Sequence, residues 1–190
     1  MNKLFIVLAV VVVLIILIMI PVGMYFGFYN SVTVLRNETE AQMKQVDNQL
    51  QRRYDLIPNL VNTVKGYAAH EKEIFTNIAD ARGRMMQAGN VREKAAADAA
   101  LTSALSRLMV VVENYPQLKA NEQFNRLMDN LEGTENRLAV ERKRYNDLVK
   151  EYNNKIQLFP GSIFAGMMGL QKMDYFEVPQ SARENPQVKF

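Results

Sequence analysis

No charged residue occurs between Leu4 and Tyr29, and Leu4–Ile20 is almost purely Leu, Ile, Val, Ala and Met. Such a run has few places to fold. A bilayer core takes about 20 apolar residues as a helix, because lipid leaves the backbone polar groups no partners but each other. Tyr25, Phe26, Phe28 and Tyr29 follow, which suits the aromatic belt at a membrane surface. The competing reading is a cleaved signal peptide, with an apolar core of about 7–15 residues and a small-x-small cleavage site. This run is longer, and Pro21-Val22-Gly23 is a poor cleavage site with bulky residues after it. We therefore expect an uncleaved single-pass anchor over residues 1–29. Lys3 lies on one side of it, and Arg36 and Lys44, offset by Glu38 and Glu40, lie beyond the other end. Acids count little in the positive-inside rule, and long domains translocate largely regardless of charge; the orientation expected is a short amino-terminal tail inside and the soluble domain on the non-cytoplasmic side.

Beyond the anchor, helical periodicity dominates. Val32, Leu35, Val46, Leu50 and Ile57 recur at spacings that sum threes and fours. Leu60, Val64, Tyr67, Phe75, Ile78 and Met85 read as a second helix, and Leu101, Leu105, Leu108, Val112 and Tyr115 as a third. The clearest stripe is the fourth: Phe124, Leu127, Leu131, Leu138, Tyr145, Tyr152, Ile156 and Phe159, with Val140, Leu148 and Val149 as added apolar surface beside it. One-sided stripes of this kind belong to helices that face a common core. Pro58 should kink or restart a helix. Ala88-Gly89-Asn90 reads as a turn, Asn114-Tyr115-Pro116 as a stop, and Phe159-Pro160-Gly161 as another. No breaker separates Tyr29 from Ile57, so the membrane helix is expected to continue as a rod. About 25 residues beyond the bilayer would reach roughly 38 Å. The expected fold is all-α, with an N-terminal transmembrane helix followed by an elongated antiparallel bundle. The expected divisions are 1–29 anchor, 30–159 bundle, and 160–190 apolar then polar tail.

Composition excludes several chemistries. The chain has no cysteine, which removes disulfides, thiolate metal sites, a cysteine nucleophile and a lipidated cysteine. Its 23 basic and 20 acidic side chains are interleaved rather than clustered, so a nucleic-acid footprint is not expected. His70 is the single histidine, and its neighbours Glu71 and Glu73 point in different directions on a helix. A metal site built on histidine pairs wants spacing i, i+4, so none is expected. No phosphate loop or dinucleotide fingerprint occurs, and neither a cofactor nor a catalytic residue is assigned.

Two sets of residues stand out for other reasons. Glu71 lies seven residues from both Val64 and Ile78, Arg142 lies four after Leu138, and Arg53 lies three after Leu50. Arg53, Glu71, Glu135 and Arg142 are therefore expected in buried or half-buried polar pairs that set helix register, with ordinary surface charge as the alternative. The second set is Phe159, Ile163, Phe164, Met167, Met168 and Leu170, in a glycine-rich stretch that is a poor isolated helix. It either wraps the bundle or offers a surface for self-association or the membrane interface. The asparagines Asn59, Asn62, Asn136, Asn146 and Asn153 read as register or solvated residues rather than a ligand site.

Four blocks carry a family resemblance. The first is Asn48 through Val61, with Lys65-Gly66-Tyr67 and His70-Glu71 after it. The second is Glu113-Asn114-Tyr115-Pro116 with Leu118-Lys119-Ala120, and the third runs from Leu131 to Arg137. The fourth is Arg144-Tyr145-Asn146 with Tyr152-Asn153 and Phe159-Pro160. In order and spacing these resemble the LemA family of bacterial membrane proteins over most of the chain. The resemblance implies a single-pass protein of the bacterial inner (plasma) membrane with a helical soluble domain. It brings no catalytic residues with it. Members are often encoded near membrane zinc peptidases or envelope-stress genes, which implies an envelope partner. The resulting expectation is a non-enzymatic membrane protein whose helices self-associate as an envelope scaffold. The alternative is an adaptor that presents a helical surface to another envelope protein, such as a membrane peptidase.

Overall fold

Residues 3–68 and 70–177 are described by a computed structural model. Among them are six helices and no strand: α1 (Lys3–Lys65), α2 (Lys72–Gln87), α3 (Val91–Val112), α4 (Pro116–Lys119), α5 (Glu122–Gln157) and α6 (Gly161–Met167). The polar tail after residue 177 lies outside the described residues. The chain forms two compact units, each built from separate stretches. The first holds the described residues up to Glu40 together with Leu148–Met173. The second holds Ala41–Asp147 and the described residues from Asp174 onward. Residues 160–173 thus group with the helix of the anchor, a different division from the sequence segments.

In the first unit, every side chain from Val7 to Ile20 is exposed. An apolar helix with no protein cover is what a membrane span looks like outside its membrane. Further along α1, Phe28, Val32 and Leu35 are buried against Tyr152 and Ile156 of α5 and Ala165 of α6. Lys155 Nζ donates to the Ser31 hydroxyl. Gly161 begins α6 because nothing larger fits. A Cβ there would run into the Lys155 carbonyl oxygen and sit 2.8 Å from the Phe28 ring. The helix ends on Gly169, whose φ of 65° few other residues adopt comfortably. Leu170 N–H then donates to Ala165 C=O at 3.0 Å and Gly169 N–H to Gly166 C=O at 3.2 Å, closing the last turn. The chain continues without helix, and Asn153 exchanges two hydrogen bonds with the Met173 backbone, at 2.9 and 3.0 Å.

In the second unit, segments of α1 through α5 surround a core. From α1 come Val46, Leu50, Ile57, Leu60 and Val64, and from α5 Phe124, Leu127, Leu131, Leu138 and Tyr145, all buried. Spacings of three and four keep each set on one face. α3 is long and apolar enough to span a bilayer by composition. It is a core helix here, with Leu101, Leu105, Leu108 and Val112 buried. Its start is fixed reciprocally: Asn90 Oδ1 accepts from Glu93 N–H at 2.9 Å, and Glu93 Oε2 accepts from Gly89 N–H at 2.7 Å. Asn121 Oδ1 likewise accepts from Phe124 N–H at the start of α5. The cross-links Gln42–Glu141 and Arg53–Glu135 make α1 and α5 antiparallel in this unit, while Asp47–Lys94 and Arg53–Asp98 make α1 and α3 parallel.

Three sequence expectations need correction. Pro58 does not interrupt α1, which runs on to Lys65. The proposed second helix is split, because α1 ends at Lys65 and α2 begins only at Lys72. Gly66 starts a turn, and Ala68 N–H returns to Val64 C=O at 2.9 Å. Val149, read as extra surface beside the fourth stripe, is fully buried on it.

The final extended segment is tied to α5 in the second unit as well. Asn146 exchanges hydrogen bonds of 2.8 and 3.2 Å with the Phe176 backbone, and Tyr145 Oη donates to Asp174 C=O at 3.0 Å. Burial, with Asp174 nearby, pushes the Tyr145 phenol up to about 12. A raised phenol favours the neutral folded form, so this contribution is whole below the unfolded value near 10 and is lost as pH rises through about 12. Tyr145→Phe should cost about 1 kcal/mol at pH 8. Between pH 8 and about pH 11 it should lose less stability than the parent protein, by urea unfolding in detergent followed by circular dichroism. Equal alkaline losses in both would contradict this account.

Candidate functional site

Charged residues fill three core positions of the second unit. Arg53 stands between Leu50 and Ile57, Asp98 three before Leu101, and Arg142 four after Leu138. Helical periodicity turns all three inward on α1, α3 and α5. There they meet. Arg53 Nη1 lies 2.6 Å from Asp98 Oδ1 and 2.7 Å from Glu135 Oε2. Arg142 Nη2 lies 2.6 Å from Asp98 Oδ2 and 3.3 Å from Glu135 Oε1. Two cations and two anions alternate around the ring and cancel. Arg53 Nη2 also donates to Thr102 Oγ1 at 3.1 Å.

The ring is deep. The Arg53 and Asp98 side chains are only 4% and 3% exposed, whereas Glu135 enters from the rim at 35%. Glu135 Oε2 sits close to Arg53 but off its N–H direction, so charge attraction holds that contact rather than a directed hydrogen bond. The Phe176 ring covers the Arg142 guanidinium at 5.3 Å, a cation–π contact. Burial pushes the Asp98 carboxyl above the usual carboxylate range, and Arg142 and Arg53 oppose that shift. The Tyr54 phenol beside the ring is pushed well up, mainly by burial. Arg53 Nε, Arg142 Nε and Tyr54 Oη are buried with no protein hydrogen-bond partner among the described residues. A network with spare unmet groups is sensitive to any lost member.

Of the residues singled out from sequence, Arg53, Glu135 and Arg142 are brought together. Glu71 lies elsewhere, half-buried before α2, where its Oε1 accepts from the Tyr115 hydroxyl at 3.2 Å. His70 is exposed in the turn. The sequence reading missed Asp98, although the spacing rule that found Arg53 and Arg142 also reaches it from Leu101. It missed the role of Phe176 for a better reason: no periodicity marks a residue on an extended segment. The apolar set divides in the first unit. Phe164, Met168 and Leu170 pack on its core. Phe159, Ile163 and Met167 are 83%, 56% and 74% exposed.

The ring couples three helices in one register, because a one-turn slip would set an arginine or a carboxylate against leucine. Asp98→Asn leaves two arginines with only Glu135 and should cost about 3–5 kcal/mol. Replacing Arg53, Asp98, Glu135 and Arg142 together by apolar residues of similar volume should restore stability to within about 1 kcal/mol of the parent protein, or exceed it. Chemical denaturation of both variants checks this. An Asp98→Asn protein that unfolds with the parent would show that the ring carries no register.

The sequence profile of the LemA family matches residues 42–190. Two proteins named magnetosome protein MamQ 1 and MamQ 2, from Paramagnetospirillum magneticum, are each 27% identical to the chain, across 78% of it and 64% of their own length. Magnetosome protein MamQ of Magnetospirillum gryphiswaldense is 26% identical over the same shares. The chain therefore spans 64% of the length of the curated relatives it matches. With an N-terminal apolar helix, an all-helical fold and a profile match over most of its length, the chain belongs to the LemA family of membrane proteins.

Proposed function

We propose that this protein is a non-enzymatic, single-pass scaffold of the bacterial inner membrane, whose helical domain stands on the non-cytoplasmic side and associates with further copies of itself. The observation that carries the reading is apolar surface left over once the second unit has closed its own core. Met109 and Val110 of α3 are 40% and 69% exposed. They line a shallow groove with Phe124 and Met128 of α5. Val140 adds exposed apolar surface farther along α5. Methionine-rich surfaces adapt readily to another helix. The non-enzymatic reading rests on the core charges, which neutralise one another rather than face a cleft. The relatives fit a structural role in that their names refer to a cellular structure and not to a reaction. The orientation rests on Lys3 before the span and on the tendency of long domains to translocate largely regardless of their charge.

The test is native mass in mild detergent, for the full chain and for a version that begins at Tyr29. A discrete homo-oligomer that falls to monomer on Met109→Asp with Val110→Asp supports the reading. A monomer in every case overturns self-association and favours the adaptor, with the same groove taking a helix of another envelope protein. Protection of a C-terminal tag from protease added outside permeabilised cells would reverse the orientation.

A further inference from the structure

The short helix α6 has two apolar faces, and protein covers only one. Phe164 and Met168 turn inward. Ile163 and Met167, four residues apart, share the adjoining face, about 100° round the helix, and are open, as is Phe159 in the turn before α6. Scattered exposed apolar residues need no explanation, but an aligned set does. Its position supplies one.

Phe164 stacks edge-on against Tyr25, with ring centroids 5.9 Å apart, and lies 5.5 Å from the Phe28 ring. Gly161 leaves no room for a side chain between α6 and Phe28. Tyr25 and Phe28 stand in the last turns of the apolar run. About 20 residues counted from Leu4 fill the hydrocarbon core, so these rings fall where it gives way to headgroups. A helix pinned to them lies at the same depth. The composition agrees. No charged residue occurs between Lys155 and Lys172, and a lysine stands at each end. On α1, Phe26 and Tyr29 are 60% and 46% exposed, so open apolar surface exists on both elements at this level.

We infer that Leu158–Met167 is an interfacial foot, inserted through Phe159, Ile163 and Met167 into the leaflet that the transmembrane helix leaves. Its occupant is the lipid surface, because α6 packs on Tyr25 and Phe28 at the end of the apolar run, where lipid is the neighbour. Lys172, exposed beyond the far end, suits the phosphate level of the headgroups. A span with one such foot has its tilt limited, since tilting away from the foot would lift it into water. This inference does not depend on self-association of the helical domain.

The chain has no tryptophan, so a single one reports its own surroundings. Ile163→Trp and Met167→Trp are compared with Glu132→Trp, which lies on an exposed face of α5. Each full-length protein is reconstituted in vesicles of phosphatidylcholine and phosphatidylglycerol, with and without lipids brominated near the headgroup. Rings held about 5–10 Å into the boundary should lose roughly half their emission to bromine and resist acrylamide, whereas Glu132→Trp should do the reverse. If positions 163 and 167 behave like position 132, the foot is in water and the inference fails. If they resist both quenchers, protein covers them, and a second copy replaces lipid as the occupant. Should either tryptophan disturb folding, a spin label on Phe159→Cys asks the same question. Greater accessibility to oxygen than to a nickel chelate supports the foot, and the opposite ranking overturns it.

Discussion

Two arginines and two carboxylates occupy the interior of a helical bundle, and the surrounding structure is constrained by the need to keep them neutral. Arg53, Asp98 and Arg142 each take a core position on a different helix, and Glu135 closes the ring from the rim. Charges removed from water lose several kcal/mol of hydration apiece, and close opposite partners recover that only with good geometry. α1, α3 and α5 must therefore stand at one relative height. Apolar layers above and below, with Leu50, Ile57, Leu101 and Leu138, add burial energy but tolerate sliding more readily. A shifted register would leave these charges unpaired, while the leucines add bulk burial.

The extended segment that follows α6 extends the same logic. It has no sheet to complete its backbone bonds, so Asn146 and Asn153 of α5 provide them, each pairing with both an N–H and a C=O. The two asparagines are seven residues apart and so lie on one helix face. The segment in turn delivers Phe176 to the guanidinium of Arg142. A stretch with no periodicity of its own thereby takes part in sealing the core.

Much of this was legible beforehand, for identifiable reasons. The long apolar N-terminal helix was legible because an uncharged apolar run has few other stable fates. The α5 stripe was legible because its three-and-four spacing persists from Phe124 to Ile156. Arg53 and Arg142 were legible because they fall on that spacing while carrying charge. Pro58 misled because α1 tolerates it, with packing outweighing local preference at that turn. The break at Gly66 was hidden because Tyr67 and Phe75 happen to continue an apolar spacing across it. Phe164 and Ile163 are adjacent in sequence and alike in character, yet one is packed and the other open. Nothing in their composition separates them.

The sequence by itself determined that this chain carries an apolar N-terminal helix long enough to cross a membrane, folds as helices and lacks cysteine chemistry, since each of these follows from local composition and periodicity. It also determined the family, through motifs spread over most of its length. Tertiary structure alone decided which charges meet, because Arg53, Asp98 and Arg142 are far apart in the chain and only packing brings them within hydrogen-bond distance. It also decided which side of α6 is open, because that depends on where Phe28 and Tyr25 stand and not on any property of the segment. Periodicity shows that a residue faces inward; only the fold shows what it faces.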